Sequence, residues 1–555
     1  MQFAGTRIDN RRLRTDNSVA VPTRPPIPSP LHFTGLGGIG MSAIAQVLAA
    51  RGLRVSGSDR SFDKGERAAD RRTLQRAKIR VAPQDGSGVT RRTKALVVST
   101  AIESGNPDIE TAKVLGVPIL HRSLILARIA ASGPSAAVAG TSGKSTTAGI
   151  LGFLLEAACL APTVVNGAPI ADFEGPAALG NARTGRAGGP VVIEADESDG
   201  TLSAYRPAVS ILTSLGTDHK GKHETLEMFA RLARNTKGHV LGCGDDPEIR
   251  RLVRGLPRGL LYGEHAGADF RLANVRVGAD GTRWRFLGRE WFLPMIGKHN
   301  ALNASAAIAA AALFVPGGAR KSCEDLGALS ARRLGAGARL ALPVSARSTE
   351  GRRIHGVGPC SDRSLRSDPR PEPRSPRPEP SRARMISDED LAAALARFRG
   401  VRRRLERVGA ARGVVVFDDF AHNGQKIAAA LAALKPLGRR LFAVFQPHGF
   451  GPARAFGRDW AAAFASALGP KDRVFLLPIF DAGGTADRSV SSDDLLPLFR
   501  RKRIAAAVVP RASAPAALAR IARKGDIACV LGARDPSLPT LARAILRAIR
   551  KTRAG

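Results

Sequence analysis

The sequence predicts an α/β chain of three modules: a Rossmann-like N-terminal module, a central module built on a P-loop ATPase-type parallel sheet, and a Rossmann-like C-terminal module. Three observations predict it. Two short apolar strands run through glycine turns into apolar helices, the C-terminal part repeats short apolar strands between helical stretches, and a segment too polar to pack a core separates that part from the rest. With 555 residues, 44% of them hydrophobic, the chain can bury several cores. The expected division is a loose tail over 1–28, modules over 29–133 and 134–315, a disordered insertion over 316–387 and a last module over 388–555.

The first strand, Leu31-His32-Phe33-Thr34, enters Gly35-Leu36-Gly37-Gly38-Ile39-Gly40 and a helix from Met41 to Ala50. The turn fits GxGxxG, and the strand Leu53 to Asp59 follows, ending in an acid at the distance where such units meet a ribose. A pyrophosphate ligand, dinucleotide or nucleotide-sugar, is the expected occupant.

The second glycine turn is more specific. Ser135-Ala136-Ala137-Val138-Ala139 leads into Gly140-Thr141-Ser142-Gly143-Lys144-Ser145-Thr146-Thr147 and an apolar helix. Backbone N–H groups there can converge on phosphate oxygens, Lys144 can neutralise the β/γ charge, and Ser145 or Thr146 can ligate Mg²⁺, so the turn reads as an ATP site. Val138 stands where the strict P-loop pattern has glycine. Farther on, Glu194-Ala195-Asp196-Glu197-Ser198-Asp199 follows a short buried strand, and Val209 to Leu215 runs into Gly216-Thr217-Asp218-His219. Ligands of parallel α/β sheets bind beyond the carboxyl ends of strands, so the loops after Ala139, Ile193 and Leu215 should meet at one metal-binding site.

The alanine-rich helix of Asn300 to Leu313 closes the central module. Between it and the helix Asp388 to Phe398 lies the segment rich in Arg, Pro, Ser and Gly, whose prolines oppose both helix and ladder. Strands Gly413 to Phe417, Leu441 to Phe445 and Arg473 to Leu477 then build the last module, and a doubly wound sheet is expected in each of the three.

These motifs in this order, from Gly35–Met41 through Gly140–Thr147, Glu194–Asp199, Asp218-His219, Gly297-Lys298-His299-Asn300-Ala301-Leu302-Asn303, Gly400-Val401-Arg402-Arg403-Arg404 and Asp418-Asp419-Phe420-Ala421-His422, resemble the Mur ligase family. The resemblance implies an ATP- and Mg²⁺-dependent ligase of peptidoglycan synthesis. It would phosphorylate a carboxylate, that of UDP-N-acetylmuramate, and an amine, L-alanine, would then displace phosphate. A muropeptide-recycling ligase that attaches a tripeptide to the same acid stays open. By the same resemblance, Lys144 holds phosphates and Ser145, Glu194 and His219 hold Mg²⁺, with Glu197 as a further candidate. His299, Asn300 and Asn303 make adenine-side contacts, Arg403 or Arg404 reaches the phosphates, and Asp418 or Asp419 meets the ribose or orients the amine. His422 lies near the amino acid. Gly35, Gly37, Gly38, Gly40, Ser58 and Asp59 clamp the UDP end, and Arg454 is the one arginine kept from a segment where several are expected. His422-Asn423-Gly424 replaces the usual His-His-Pro, Ser142 replaces a common histidine, and Ser214 a usual asparagine.

The net charge of +37 and pI near 11.4 suggest a rival class, a nucleic-acid binder. Its arginines are dispersed, however, and aromatic residues make up only 5% of the chain, without a motif that interleaves the two. A nucleotide-binding protein that has lost ligation is the other alternative; three retained phosphate and metal residues speak against it. Scattered cysteines, Cys159, Cys243, Cys323, Cys360 and Cys529, and the lack of a long apolar run point to a reduced cytoplasm.

Overall fold

The computed structural model describes residues 27–197, 200–216, 221–314, 387–481 and 487–552. The expected tail and insertion, like Asp218, His219, Ser198 and Asp199, lie outside those residues apart from Ile27, Pro28 and Ser387.

Near the N-terminus a five-stranded parallel sheet runs in the order Arg80–Ala82, Val55–Ser58, Leu31–Thr34, Ala95–Val98, Ile119–His121. Strand Leu31–Thr34 sits in its centre, buried on both faces, so its glycine turn opens at the switch point of the strand order.

The central sheet has ten strands and departs from the expected doubly wound form. Its middle is parallel, in the order Thr163–Val165, Val191–Glu194, Ser135–Ala139, Val209–Leu212, His239–Cys243, Gly259–Gly263. One edge carries the antiparallel strand Ala182–Arg183. At the other edge Phe270–Gly278, parallel to its neighbour, folds back through Gly281–Phe286 and Arg289–Leu293 as an antiparallel meander. Period-two alternation drives this: Leu272, Trp284, Phe286, Trp291 and Leu293 are buried, while Arg271, Arg276 and Arg285 face water. Gly281, at φ +151°, makes the tight reversal.

The C-terminal sheet also begins with an antiparallel strand, Glu406–Ala411, beside the parallel set Val414–Asp419, Ile527–Leu531, Leu441–Phe445, Arg473–Leu476 and Ala506–Val508.

Helix Lys144–Ala157, which leaves the phosphate loop, packs against Lys298–Phe314. The same helix sits close on the sheet below, where a Cβ at Gly152 would stand 2.7 Å from Val164. The N-terminal and central sheets share one apolar core, in which Leu31, Phe33 and Ile44 join Ile193, Leu212 and Phe229. A buried polar network spans the same junction. Gln46 Nε2 donates to Asn181 Oδ1 (2.8 Å), Asn181 Nδ2 donates to Ser42 Oγ (2.9 Å) and to Ile39 O (2.7 Å), and Leu179 N donates to Gln46 Oε1 (2.9 Å). The C-terminal sheet has apolar cores of its own. Among the described residues no helix is long and apolar enough to cross a membrane.

Candidate active site

Strand Ser135–Ala139 lies between Val191–Glu194 and Val209–Leu212, so the three loops expected to converge leave adjacent strands in one direction. Gly140 takes φ +141° and Gly143 φ +85°, conformations that L side chains rarely adopt. Neither has room for one. A Cβ at Gly140 would lie 2.0 Å from Thr213 Oγ1, and at Gly143 2.4 Å from Asn303 Oδ1. The loop is braced from the next strand: Ser142 N donates to Ser214 Oγ (2.9 Å), Thr141 N to Ser214 O (3.0 Å), and Thr213 Oγ1 to Ser142 O (2.6 Å). Ser214, the residue in asparagine's usual place, thus serves as a strut of the turn. Gly143 caps helix Lys144–Ala157 with no side-chain hydrogen bond, which leaves the helix N-terminus to a ligand.

Lys144 Nζ donates to both oxygens of Glu197, at 3.0 and 2.7 Å, and stands 3.8 Å from Asp196 Oδ1. Burial works against the charge on Lys144, but Glu197, Asp196 and Glu194 outweigh it and hold the ammonium above its ordinary value. Burial in turn pushes Glu197 up against the pull of Lys144. Glu194, at the end of its strand, accepts from Gly167 N (2.6 Å), and no side chain at Gly167 would fit beside it.

From the C-terminal module, Arg404 Nη2 donates to Ser145 Oγ at 3.2 Å, with its guanidinium 5.1 Å from the Phe420 ring centre. Of the two candidate arginines, this is the one the structure brings to the phosphate loop. Arg403, at φ +58°, turns away to Gly532 O (2.5 Å), Ala533 O (3.2 Å) and Asp418. Both oxygens of Asp419 are taken by backbone, Leu405 N at 2.6 Å and Ala421 N at 2.7 Å, whereas Oδ2 of buried Asp418 has no hydrogen-bond partner among the described residues. Burial pushes the Asp418 carboxyl up to about 6. His422 Nδ1 lies 2.9 Å from Phe420 O; a carbonyl only accepts, so that nitrogen carries the proton and Nε2 is the basic one. Asn423 caps helix Gly424–Leu434, and Gln425 reaches Gly216 beside the phosphate loop. Burial pushes His299 down to about 4, so it is neutral at physiological pH. Asn300 donates to Ile296 O, and Asn303 packs against Gly143 and Thr147. Arg454 is bound instead to Asp487 and Ser489.

The N-terminal turn is built differently. Gly35 N and Leu36 N donate to Ser58 O, both at 2.9 Å, and Gly37 N donates to Asp59 Oδ2 at 2.8 Å. The other Asp59 oxygen caps Ser61 N, so this carboxylate closes the turn. Ser58 points its hydroxyl inward to Asp108. Sequence reasoning missed Arg122, whose Nη2 reaches to 3.6 Å from Asp196 Oδ2; its one signal is a cation directly after a parallel strand.

The residues fit a nucleoside triphosphate: two glycines leave a cradle that any Cβ would fill, a lysine stands at a bare helix N-terminus, and an arginine faces it. Ser145 and Glu194 carry oxygens of the kind Mg²⁺ takes, although among the described residues no cluster of three His, Cys, Asp or Glu side chains stands ready for a metal.

Models of the Mur ligase family match the chain in three consecutive parts: its catalytic domain over residues 30–133, its middle domain over 138–311 and its glutamate ligase domain over 403–534. The UDP-N-acetylmuramate–L-alanine ligase of Agrobacterium fabrum is 32% identical, over 91% of this chain and 93% of its own, and that of Kineococcus radiotolerans is 33% identical with the same coverage. In fold the chain is similar to the UDP-N-acetylmuramate-alanine ligase of Thermotoga maritima (TM-score 0.65, 22% identity, 93% of this chain and 98% of that one). It is also similar to a murein peptide ligase of Psychrobacter arcticus (TM-score 0.56, 18% identity, 94% and 99%).

Proposed function

The chain belongs to the Mur ligase family, and from that premise we propose that it joins L-alanine to the carboxylate of UDP-N-acetylmuramate, with ATP converted to ADP and phosphate, in the cytoplasm. The acid substrate sits on the module over 29–133, ATP on that over 134–315 and the amine against that over 388–555. One observation carries the reading: Lys144, the carboxylates Glu194, Asp196 and Glu197, and Arg404 from another module converge on one phosphate loop.

The muramyl carboxylate oxygen bonds to the γ-phosphorus and ADP departs; the amine then attacks the acyl carbon, and the C–O bond to phosphate breaks with its electron pair on phosphate. Lys144 and Arg404 neutralise charge on the moving phosphoryl group, so the protein contributes mostly position and electrostatics. Mg²⁺, held by Ser145, Glu194 and His219, would spread that charge further. Thr141, Ser142 and Thr146 line the cradle, and His299, Asn300 and Asn303 its adenine side. His422 Nε2 is suited to take the proton the amine loses.

The replacement of His-Pro by Asn423-Gly424 changes the acceptor motif, and a second reading, in which a short peptide is the amine, stays open beside the first. Phosphate release from ATP, Mg²⁺ and UDP-N-acetylmuramate decides between them. Release that requires L-alanine supports the proposal; release that requires a tripeptide, or none with any amine, overturns it.

A further inference from the structure

Arg122 opens helix Arg122–Ala130, directly after the edge strand Ile119–His121. A cation at a helix N-terminus opposes the helix dipole, and this first turn holds no acidic residue to offset it, so helix stability does not explain the arginine. Its surroundings do. One end of the guanidinium occupies the space beside Gly40, where a Cβ would lie 2.4 Å from Nη1. Gly40 is not among the glycines with positive φ, so its missing side chain gives room and not conformational freedom. Helix Ile39–Ala50 begins there, capped by Gly38 without a side-chain hydrogen bond, and adds its own positive end to the same point. The other end of the guanidinium meets Asp196 at 3.6 Å, and Asp196 lies 3.8 Å from Lys144. The arginine side chain is 20% exposed and spans the distance from the glycine turn to the carboxylates around the phosphate loop.

We propose that Arg122 is a specificity-determining residue for the acid substrate: held by Asp196 beside the bare start of helix Ile39–Ala50, its guanidinium receives that substrate's anionic group. The inference rests on the functional reading above. The glycine turn has its own amide at Gly37 satisfied by Asp59 and contains no cation, and Arg67, which donates to Gly37 O, is already paired with Asp70, so a phosphate or carboxylate placed there draws its positive charge from farther off. Arg122 supplies it from the same module, and its contact with Asp196 fixes the anion's position relative to Lys144. A guanidinium offers a planar fork to either oxyanion, which lysine does not.

The test is calorimetric binding, without amine and therefore without turnover, of UDP, UDP-N-acetylmuramate and ATP to the native chain and to Arg122→Gln and Arg122→Lys. Losing the charge-assisted hydrogen bond should weaken UDP-N-acetylmuramate binding by at least about 10-fold in Arg122→Gln and by less in Arg122→Lys, which loses only the planar fork, with ATP binding unchanged in both. An equal loss for UDP assigns the pyrophosphate as the group received; a loss confined to UDP-N-acetylmuramate assigns the carboxylate. Undiminished acid-substrate binding in Arg122→Gln overturns the role of Arg122, as does an equal loss for ATP, which marks a structural defect; Arg122→Lys, which keeps the charge, guards against misfolding. Native protein that binds neither UDP compound overturns the functional reading as well.

Discussion

Two glycine turns, each joining a buried parallel strand to an apolar helix, are braced differently, and the proposed function gives them different tasks. At Gly35–Gly40 an embedded carboxylate, Asp59, holds the amide of Gly37, and the cations beside the turn, Arg67 and Arg122, come from later in the sequence. At Gly140–Lys144 the brace is neutral, from Thr213, Ser214 and Asn303, and the cation belongs to the loop itself. A turn that only has to seat a diphosphate can carry a carboxylate in its frame. One that steers a transferring phosphoryl group keeps negative charge on neighbouring strands, where it pairs with lysine until phosphate arrives.

The comparison breaks most visibly at Lys144. Lys144→Ala should lower ligase turnover at least about 100-fold, read as phosphate release, while UDP-N-acetylmuramate binding persists. Retained turnover would mean that the central turn is no more a reaction centre than the first. Arg404→Ala, which removes the arginine reaching across to Ser145, should lower kcat/KM for ATP about 10-fold and leave melting temperature nearly unchanged.

Alanine scanning of the glycines sharpens the contrast. Gly143→Ala combines positive φ with a 2.4 Å clash and should cost about 2–3 kcal/mol in denaturant unfolding. Gly38→Ala, at φ −61° with its nearest neighbour at 3.2 Å, should cost under about 1 kcal/mol.

Acid gives the smallest effect. Burial opposes ionisation of Asp108 beneath the first turn, but the His32 imidazole 3.6 Å away and hydrogen bonds from Ser58 and Thr34 win and hold its carboxyl below the usual range. Its stabilising contribution is therefore present above the unfolded carboxylate value and lost as pH falls through the folded one. Asp108→Asn should lower the melting temperature at pH 7 and flatten its fall toward pH 3; an unchanged pH profile would show that the turn does not lean on this charge.

Much of this was legible because it is local. Strands such as Ser135–Ala139 are apolar runs bounded by glycine, and Lys144 follows its turn directly. The meander from Phe270 to Leu293 was not foreseen, since its alternation is interrupted by a bulge between Ala273 and Arg276 and by surface arginines. Nor was the choice of Arg404 over Arg403 legible: a left-handed backbone at Arg403 turns neighbouring side chains to different modules, and nothing in a run of three arginines announces that. Asp59 was expected at a ribose, yet its distance along the chain fits equally well the turn it closes.

The core common to the first two sheets, stitched by Gln46 and Asn181, has a thermodynamic corollary. Neither sheet can expose its inner face without stripping the other, so the two form a single cooperative unit, with the C-terminal sheet free to melt apart from them. A calorimeter should record two heat-absorption peaks where a count of sheets suggests three, and a ligand for either glycine turn should move the same peak.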